Sequence, residues 1–275
     1  MTSGREWATN VGDVWAEEWR RTDRTFAELT VALDAAIDRV APAGPGTALD
    51  IGCGAGITTF GLARRHPDLD VLGIDIAAQS IAVAEQRAAG IPNVRFEAGD
   101  IERFTAPSPF DLLISRHGVM FFDDPVAAFV RLHRAAKPGA PIVFSCMREM
   151  ARNAWTYDLI AAITGSPPVP AAGYAPSPFA FADEGFTTDL LATTGWRDIR
   201  PQPVDYAYLA GEGDDPVGDA VRTFTLIGPA ASFIARAAPE RRPQLVERLR
   251  EVVERHRDGN RVAFPASGWI WTAFA

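Results

Sequence analysis

The sequence predicts an α/β fold built on a mostly parallel sheet. Between residues 46 and 147, short apolar runs alternate with segments of helical spacing, a pattern typical of parallel strands joined by right-handed crossover helices. A polar residue stands at the carboxyl end of four of the predicted strands: Asp50, Asp75, Asp100 and Ser115. Ligands of open parallel sheets bind at these strand ends, so we expect the four side chains to share one site.

Five strands and three helices are predicted in this first half. Apolar runs bounded by turn residues indicate the strands, which we place at 46–51, 70–75, 93–100, 110–116 and 141–147. The helical segments between them are 56–66, 77–89 and 124–136. The acidic pair Asp123-Asp124 just before Pro125 is typical of a capped helix start, so we interpret it as a cap and expect no metal site there.

After residue 150 the pattern changes, and helices interrupt the sheet. Helices are predicted at 153–164 and 184–194, a loop rich in proline and aromatic residues at 165–182, a strand interrupted by its prolines at 196–209, two or three helices at 214–258, and an aromatic strand at 268–275. Breaks at Gly228-Pro229 and Pro239 divide the late helices. We interpret these helices as an insertion that covers the site.

These patterns divide the chain into three parts. Residues 1–43 are predicted to form an N-terminal helical lid, and residues 44–150 the ligand-binding core. Residues 151–275 complete the sheet and carry the helical insertion at about 210–260.

Composition limits the partners and the compartment. The 275 residues carry a net charge of −8, which repels phosphate backbones, so we expect no nucleic-acid partner. The N-terminus lacks an apolar signal core, and the most apolar long segment, 219–238, holds two arginines and a Gly-Pro break. With Cys53 and Cys146 as the only cysteines, both in apolar runs, we expect reduced thiols in a cytoplasmic protein that does not associate with membranes.

The segment ALDIGCGAG at residues 48–56 is the most specific motif. Its alternating glycines suit a tight turn from strand to helix, where a ligand approaches the backbone closely. The dinucleotide fingerprint G-x-G-x-x-G/A, counted from Gly52, requires a small residue at position 57, where this chain has Ile57. The third glycine, Gly56, comes one residue too early, which argues against a nicotinamide-dependent oxidoreductase.

Three carboxylates indicate which ligand the turn binds. Asp50, two residues before the glycines, is poorly placed for a pyrophosphate but suits a positively charged amino group. Asp75, at the end of the second strand, is placed to accept hydrogen bonds from ribose hydroxyls, and Asp100 to bind an adenine amino group. A ligand with an ammonium group, a ribose and an adenine but no phosphate is S-adenosylmethionine.

The segments LDIGCGAG, GID, AGDIERF and FDLLISRHGVMFFDDPVAAF resemble the class I S-adenosylmethionine-dependent methyltransferases, specifically a bacterial branch that acts on small molecules. The resemblance is strong over 45–150 and weaker at SPFAFAD, residues 177–183, and at the C-terminal GWIWTAFA. It implies a Rossmann-like, seven-stranded, mostly parallel sheet with an antiparallel last strand and helices on both faces.

The resemblance also implies roles for individual residues. The cofactor-binding set that we predict is Asp50, Gly52, Cys53 and Gly54 at the methionine end, Asp75 and Ile76 at the ribose, Asp100 and Ile101 at the adenine, and Ser115, Arg116 and Trp19 beside them. His117 departs from the family pattern, since relatives often have an aromatic residue there. Near the methyl donor it is a candidate catalytic base, although a lone histidine is also typical of a packing residue.

The N-terminal segment contains Trp7, Trp15 and Trp19. Because Trp15 and Trp19 are four residues apart, we expect them to share one helix face, which either packs in the core or closes over a cationic ligand such as a sulfonium. Acceptor contacts are predicted from the loop and the late helices, and the aromatic candidates are Phe121, Phe122, Tyr174, Phe179, Phe181 and Phe224. They favour an apolar or aromatic acceptor.

The sequence therefore predicts a methyltransferase that uses S-adenosylmethionine, releases S-adenosylhomocysteine, and methylates O, N or C of a small molecule, as a monomer or homodimer. Three alternatives remain at this point. A nicotinamide-dependent oxidoreductase, against which the early third glycine argues, would require tight binding of a dinucleotide. A non-catalytic S-adenosylmethionine-binding protein would share the glycine turn, and an RNA or protein methyltransferase would carry Asn-Pro-Pro-aromatic or a basic groove where this chain has SRHG.

Overall fold

A single mixed sheet forms the centre of the molecule in the computed structural model, which describes residues 10–275. The strand order is β3-β2-β1-β4-β5-β8-β6, and the two-residue β7 pairs with β8. The strands are β1 (Gly46–Ile51), β2 (Leu69–Asp75), β3 (Val94–Ala98), β4 (Leu112–Arg116), β5 (Pro141–Met147), β6 (Arg197–Glu212), β7 (Arg257–Asp258) and β8 (Arg261–Phe274). The order reverses between β1 and β4, which places a topological switch point there.

Eleven α-helices surround the sheet within the described part of the chain. They are α1 (Asn10–Glu17), α2 (Trp19–Thr25), α3 (Ala27–Asp38), α4 (Ile57–Arg65), α5 (Ala78–Arg87), α6 (Pro125–Ala135), α7 (Ala154–Thr164), α8 (Glu184–Thr193), α9 (Pro216–Leu226), α10 (Pro229–Arg236) and α11 (Arg242–Arg255). Short 3-10 turns lie at Gly118–Phe121, Met150–Arg152 and Pro239–Arg241. None of the helices within residues 10–275 has the length and apolar character needed to cross a bilayer.

The two faces of the sheet are both covered by apolar side chains. Along β4, Leu113 joins one hydrophobic cluster, whereas its neighbours Leu112 and Ile114 join the other. Successive residues of a strand point to opposite faces, so this alternation means that helices pack on both sides. The predicted α/β sheet with an antiparallel last strand is confirmed.

The prediction that prolines interrupt the strand near residues 196–209 is wrong. β6 runs through both prolines, with Pro201 opposite Trp271 and Pro203 opposite Trp269 in the antiparallel ladder with β8. β6 is the last strand of the sheet, and an edge strand tolerates residues that lack an N–H group. β6 and β8 are consequently long enough to extend past the sheet and carry α9.

The N-terminal helices are fixed to this extension. Arg24 pairs with Asp219 of α9 at 2.8 Å, and Arg21 pairs with the same carboxylate. The Thr25 hydroxyl donates a hydrogen bond to the carbonyl of Leu209 in β6 at 3.1 Å. The N-terminal helices and the late helices thus form one continuous layer above the carboxyl ends of the strands.

The tryptophan prediction needs a correction. The chain leaves the helical path at Glu18, so Trp15 lies on α1 and Trp19 begins α2. The two rings therefore do not share one helix face, and Trp7 lies outside the described residues.

Candidate functional site

A deep cavity lies at the carboxyl ends of β1, β2 and β4, beneath the N-terminal and late helices. Eleven of the twelve predicted site residues line it: Trp19, Asp50, Gly52, Cys53, Gly54, Asp75, Ile76, Asp100, Ile101, Arg116 and His117. Ser115 does not line the cavity. Side chains from strand ends far apart in the sequence meet here, because the parallel order brings these ends to one edge of the sheet.

The floor of the cavity is a contact between two backbone turns. Gly52 has a φ of 64°, and a Cβ on it would lie 2.8 Å from the Cα of Gly118. A Cβ on Gly118 would in turn lie 2.5 Å from the carbonyl oxygen of Ile51. Only glycine fits at both positions, so the turn after β1 and the turn after β4 touch directly.

Ser115 holds these two turns together. Its buried hydroxyl donates a hydrogen bond to the Ile51 carbonyl at 2.7 Å and accepts one from the Gly118 N–H at 3.1 Å. The side chain therefore points into the floor rather than into the cavity, and the structure corrects the expectation that it lies beside the ligand.

Asp75 closes the glycine turn from the neighbouring strand. Its carboxylate accepts hydrogen bonds from the N–H groups of Gly54 and Ala77, both at 2.8 Å. Burial raises the pKa of Asp75 above its usual value, and the two backbone hydrogen bonds oppose that shift. Asp100 is more open, with its side chain 34% exposed, and it accepts a hydrogen bond from the Glu102 N–H at 2.9 Å.

Asp50 is an unusual buried acid. It is fully buried, and one carboxylate oxygen accepts a 2.6 Å hydrogen bond from the Thr59 hydroxyl. Oδ1, the other oxygen, has no hydrogen-bond partner. Burial raises the pKa of Asp50 to about 7. A buried carboxylate oxygen without a hydrogen-bond donor costs free energy.

His117 lies where the cavity turns from polar to aromatic. Its φ of 68° is in the left-handed region, which is uncommon for a residue other than glycine and costs free energy. The ring is 4.9 Å from that of Phe26, Nδ1 is 3.4 Å from the Ser145 hydroxyl, and Nε2 is buried without a partner. Burial, with a contribution from the charge of Arg116, lowers the pKa of His117 to about 3, so the imidazole is neutral.

Two arginines connect the site to the N-terminal helices. Arg87, at the end of α5, donates a 2.7 Å hydrogen bond to the carbonyl of Ala55 in the glycine turn. The same guanidinium pairs with Asp23 at 2.7 Å and lies 3.7 Å from the centre of the Trp19 ring. Arg116 approaches Asp23 at 3.3 Å. Arg87 thus fastens α2 to the turn, although the sequence gives no signal for it other than its position at a helix end.

The other half of the cavity is aromatic. Phe121 and Phe122 line it as predicted, and so does Trp15, one of the two tryptophans for which closure over the ligand was one of two expectations. The sequence did not single out the other lining residues of this half, which include Phe26, Met120, Met147, Trp155, Pro178, Tyr208, Ile227 and Pro229. Four predicted acceptor contacts, Tyr174, Phe179, Phe181 and Phe224, are absent from the lining. Phe181 and Phe224 are core residues, 0% and 2% exposed.

Comparison with known proteins identifies the family. A family model described as a methyltransferase domain matches residues 45–167. A ubiquinone biosynthesis O-methyltransferase from Paracidovorax citrulli is 31% identical over 186 residues, which cover 64% of this chain and 76% of that enzyme. A trans-aconitate 2-methyltransferase from Deinococcus radiodurans is 40% identical over 91 residues, which cover 33% of this chain and 34% of that enzyme.

A solved structure supports the same fold. The structure of phosphoethanolamine N-methyltransferase 2 from Haemonchus contortus, in complex with S-adenosyl-L-methionine, superposes with a TM-score of 0.58 at 18% identity. The alignment covers 100% of this chain and 60% of that one. The glycine turn, the acids at the strand ends and these similarities agree, and the chain belongs to the class I S-adenosylmethionine-dependent methyltransferases.

Proposed function

We propose that this enzyme binds S-adenosylmethionine in the half of the cavity formed by the glycine turn and methylates O, N or C of a small apolar or aromatic molecule in the other half. The unpartnered Asp50 Oδ1 at the polar end is the observation that carries the proposal. It requires a cationic donor group there, whereas a dinucleotide would bring a pyrophosphate to the same turn.

The residues of the polar half have separate roles in this proposal. Asp50 binds the amino group, together with the turn formed by Gly52, Cys53 and Gly54. Asp75 keeps its bonds from the Gly54 and Ala77 N–H groups and accepts hydrogen bonds from the ribose hydroxyls with the remaining lone pairs of its two oxygens. Asp100 binds the adenine amino group, between the side chains of Ile76 and Ile101.

The chemistry needs alignment more than proton transfer. When bound, S-adenosylmethionine would supply a methyl group on a positively charged sulfur. Transfer of this methyl group to the acceptor atom leaves S-adenosylhomocysteine, in which the sulfur is neutral. Fixing the acceptor in line can supply roughly 7–11 kcal/mol of barrier reduction. His117, neutral and with an unpaired Nε2, accepts a hydrogen bond from an acceptor hydroxyl or amine and so orients it. The proton that this acceptor loses on methylation passes to water, because the low pKa of His117 keeps the imidazole from retaining it.

The N-terminal helices and α9–α10 act as a lid in this proposal. Trp19, Asp23 and Phe26 line the cavity from above, and Arg87 fixes that segment to the glycine turn. An aromatic roof excludes water from the reacting groups. In this proposal the lid consists of the described residues 10–43 of the predicted N-terminal part and the predicted insertion at about 210–260, and it covers the core 44–150.

We further propose a cytoplasmic enzyme that acts on a free small molecule as a monomer or homodimer. The two cysteines, Cys53 and Cys146, are both free and buried, which agrees with a reducing compartment. The net charge of −8 argues against a nucleic-acid substrate.

Calorimetry with S-adenosylmethionine, S-adenosylhomocysteine and NAD tests the proposal. We expect binding of the first two ligands and no heat with NAD, and a loss of at least tenfold in affinity in Asp75→Asn, since the amide replaces an acceptor of two hydroxyl donors. Transfer of labelled methyl groups to a panel of small acceptors then separates the enzyme from a non-catalytic binding protein. Uptake of NAD without uptake of S-adenosylmethionine would refute the assignment.

A further inference from the structure

We propose that Tyr208 and His117 together form a two-point recognition site for a flat aromatic acceptor that carries two oxygen substituents. One oxygen is held by His117 and the other, a hydroxyl or a carbonyl, by the Tyr208 hydroxyl. This inference rests on the proposed function and narrows its acceptor class.

The ring of Tyr208 is held rigidly in the wall of the cavity. It stacks on Trp155 with ring centres 4.7 Å apart and planes inclined by 10°, and its stacking partner Phe224 lies at 6.0 Å and 13°. Phe26 meets the same ring edge-on at 5.6 Å. With contacts on three sides, the ring cannot turn, so the direction of its hydroxyl is set by the fold.

The hydroxyl of this fixed ring has no partner. Tyr208 is only 5% exposed, and its oxygen makes no hydrogen bond to any residue within 10–275. This oxygen is not among the fully buried unpaired atoms, and the Tyr208 side chain lines the cavity. The polar groups of two neighbouring aromatic side chains do have partners in the protein. The Trp155 indole N–H donates to the Asn153 side chain at 3.1 Å, and the Tyr206 hydroxyl donates to the Met147 sulfur at 3.5 Å. A hydroxyl that is held in a fixed direction on a cavity wall, and that lacks a partner in the protein, is placed to form a hydrogen bond with a ligand atom.

His117 supplies the second unmet polar atom on the same wall. Its Nε2 is buried without a partner, and its ring lies 4.9 Å from Phe26, the residue that also contacts Tyr208. Phe26, His117 and Tyr208 all line the cavity, so a planar molecule that lies against Phe26 has both polar side chains beside it. The apolar rest of the lining, including Met120, Phe121 and Ile227, provides the surface for its ring.

The chemical class follows from this arrangement. An aliphatic acceptor would leave the aromatic walls poorly matched, and an acceptor with one oxygen would leave one of the two polar atoms unpaired. Sites built to bind a hydroxyl discriminate strongly against analogues that lack it, because the polar group of the protein then stays buried and unpaired. Dihydroxylated aromatics and hydroxyaryl ketones satisfy both atoms.

The probes are the three dihydroxybenzenes and a set of dihydroxynaphthalenes, each compared with phenol or naphthol. Binding is measured by calorimetry on protein saturated with S-adenosylhomocysteine, and turnover by transfer of labelled methyl groups from S-adenosylmethionine. We expect at least one diol to bind about tenfold more tightly than its monohydroxy analogue, which corresponds to about 1.4 kcal/mol.

Tyr208→Phe removes only the oxygen and keeps the stacked ring, so we expect it to abolish the preference for the diol in both binding and kcat/KM. Tyr206→Phe is the matched control, since it is the same change two residues away on β6, at a hydroxyl that already has a partner. His117→Asn should weaken mono- and dihydroxy acceptors alike, and asparagine tolerates the left-handed backbone there.

Three results would overturn the inference: no diol preferred by the wild type, no aromatic probe bound at all, or an equal loss of diol preference in Tyr206→Phe. These outcomes are distinct from failure of the proposed function, which would show first as a protein that does not bind S-adenosylhomocysteine.

Discussion

Replacing Asp50 with asparagine is expected to stabilise the ligand-free protein at pH 8, to destabilise it at pH 4, and to weaken binding of S-adenosylmethionine. Asparagine has nearly the same shape as aspartate but does not ionise. The reversal of sign arises because Asp50 is fully buried and has an oxygen without a partner, so its ionisation in the ligand-free protein costs free energy that a bound cation would offset.

The magnitude follows from the pKa. Burial raises the pKa of Asp50 from an ordinary value of 3.8 to about 7. The unfolded chain therefore loses this proton at lower pH than the folded chain, so the stability that protonated Asp50 contributes is complete below pH 3.8 and is lost as the pH rises through 7. A shift of about 3 units, at 1.36 kcal/mol per unit, makes this loss about 4 kcal/mol.

The asparagine has a cost of its own. Its oxygen keeps the hydrogen bond from Thr59, but its NH2 group takes the place of Oδ1, which has no hydrogen-bond partner in the protein. Burying these N–H groups unpaired lowers the free energy of unfolding by about 1–3 kcal/mol. The variant should therefore be more stable than the wild type by about 1–3 kcal/mol at pH 8 and less stable by a similar amount at pH 4. Each kcal/mol moves the Tm of a chain of this size by about 2–4 °C.

Thermal unfolding of both proteins between pH 4 and pH 8.5, without ligand, measures the effect. Calorimetry completes the test: the affinity of the wild type for S-adenosylmethionine should increase as the pH rises from 6 to 8, whereas the variant should bind weakly at every pH. A Tm difference that does not change with pH would show that Asp50 ionises as freely as an exposed acid and would refute the reasoning.

Three further changes test other parts of the site. Arg87→Ala should raise the dissociation rate of S-adenosylmethionine about tenfold in stopped-flow fluorescence, because the Arg87 guanidinium contacts Ala55, Asp23 and the Trp19 ring at once. Arg87→Lys should show an intermediate rate, and equal rates in all three proteins would contradict the role of Arg87 in fastening α2 to the glycine turn. Ser115→Ala should lower the free energy of unfolding in urea by about 2–4 kcal/mol, since two buried backbone groups lose their partner, and a change under 0.5 kcal/mol would be inconsistent with that geometry. Gly118→Ala should lower the free energy of unfolding still more, because the new Cβ would lie 2.5 Å from the Ile51 oxygen. Gly139→Ala is the control: no atom lies within 4 Å of its new Cβ, so its only cost is the strain of a left-handed backbone angle.

The polar half of the site could be predicted from the sequence because local rules determine it. Asp50, Gly52 and Gly54 belong to one strand and one turn, and Asp75 follows the next strand, so spacing alone places them together at one edge of a parallel sheet. Ser115 was expected beside the ligand for the same reason, but spacing does not give the direction in which a side chain points.

The aromatic half could not be predicted in this way. Tyr208 lies on a strand whose prolines made it look interrupted, and only its edge position explains why β6 continues. Aromatic composition does not separate a cavity wall from a core, so Phe181 and Phe224 were expected at the acceptor and are instead buried. Phe26 and Trp155 reach the site through tertiary packing, which leaves no local signal.

The direct backbone contact between Gly52 and Gly118 fixes the glycine turn after β1 against the turn after β4 that carries His117. A substitution that displaced one turn would displace the other, so the floor of this cavity cannot be reshaped for a different acceptor. The overlying helices and the edge strand that carries them are where residues of this chain can be exchanged without disturbing the geometry at the transferred methyl group.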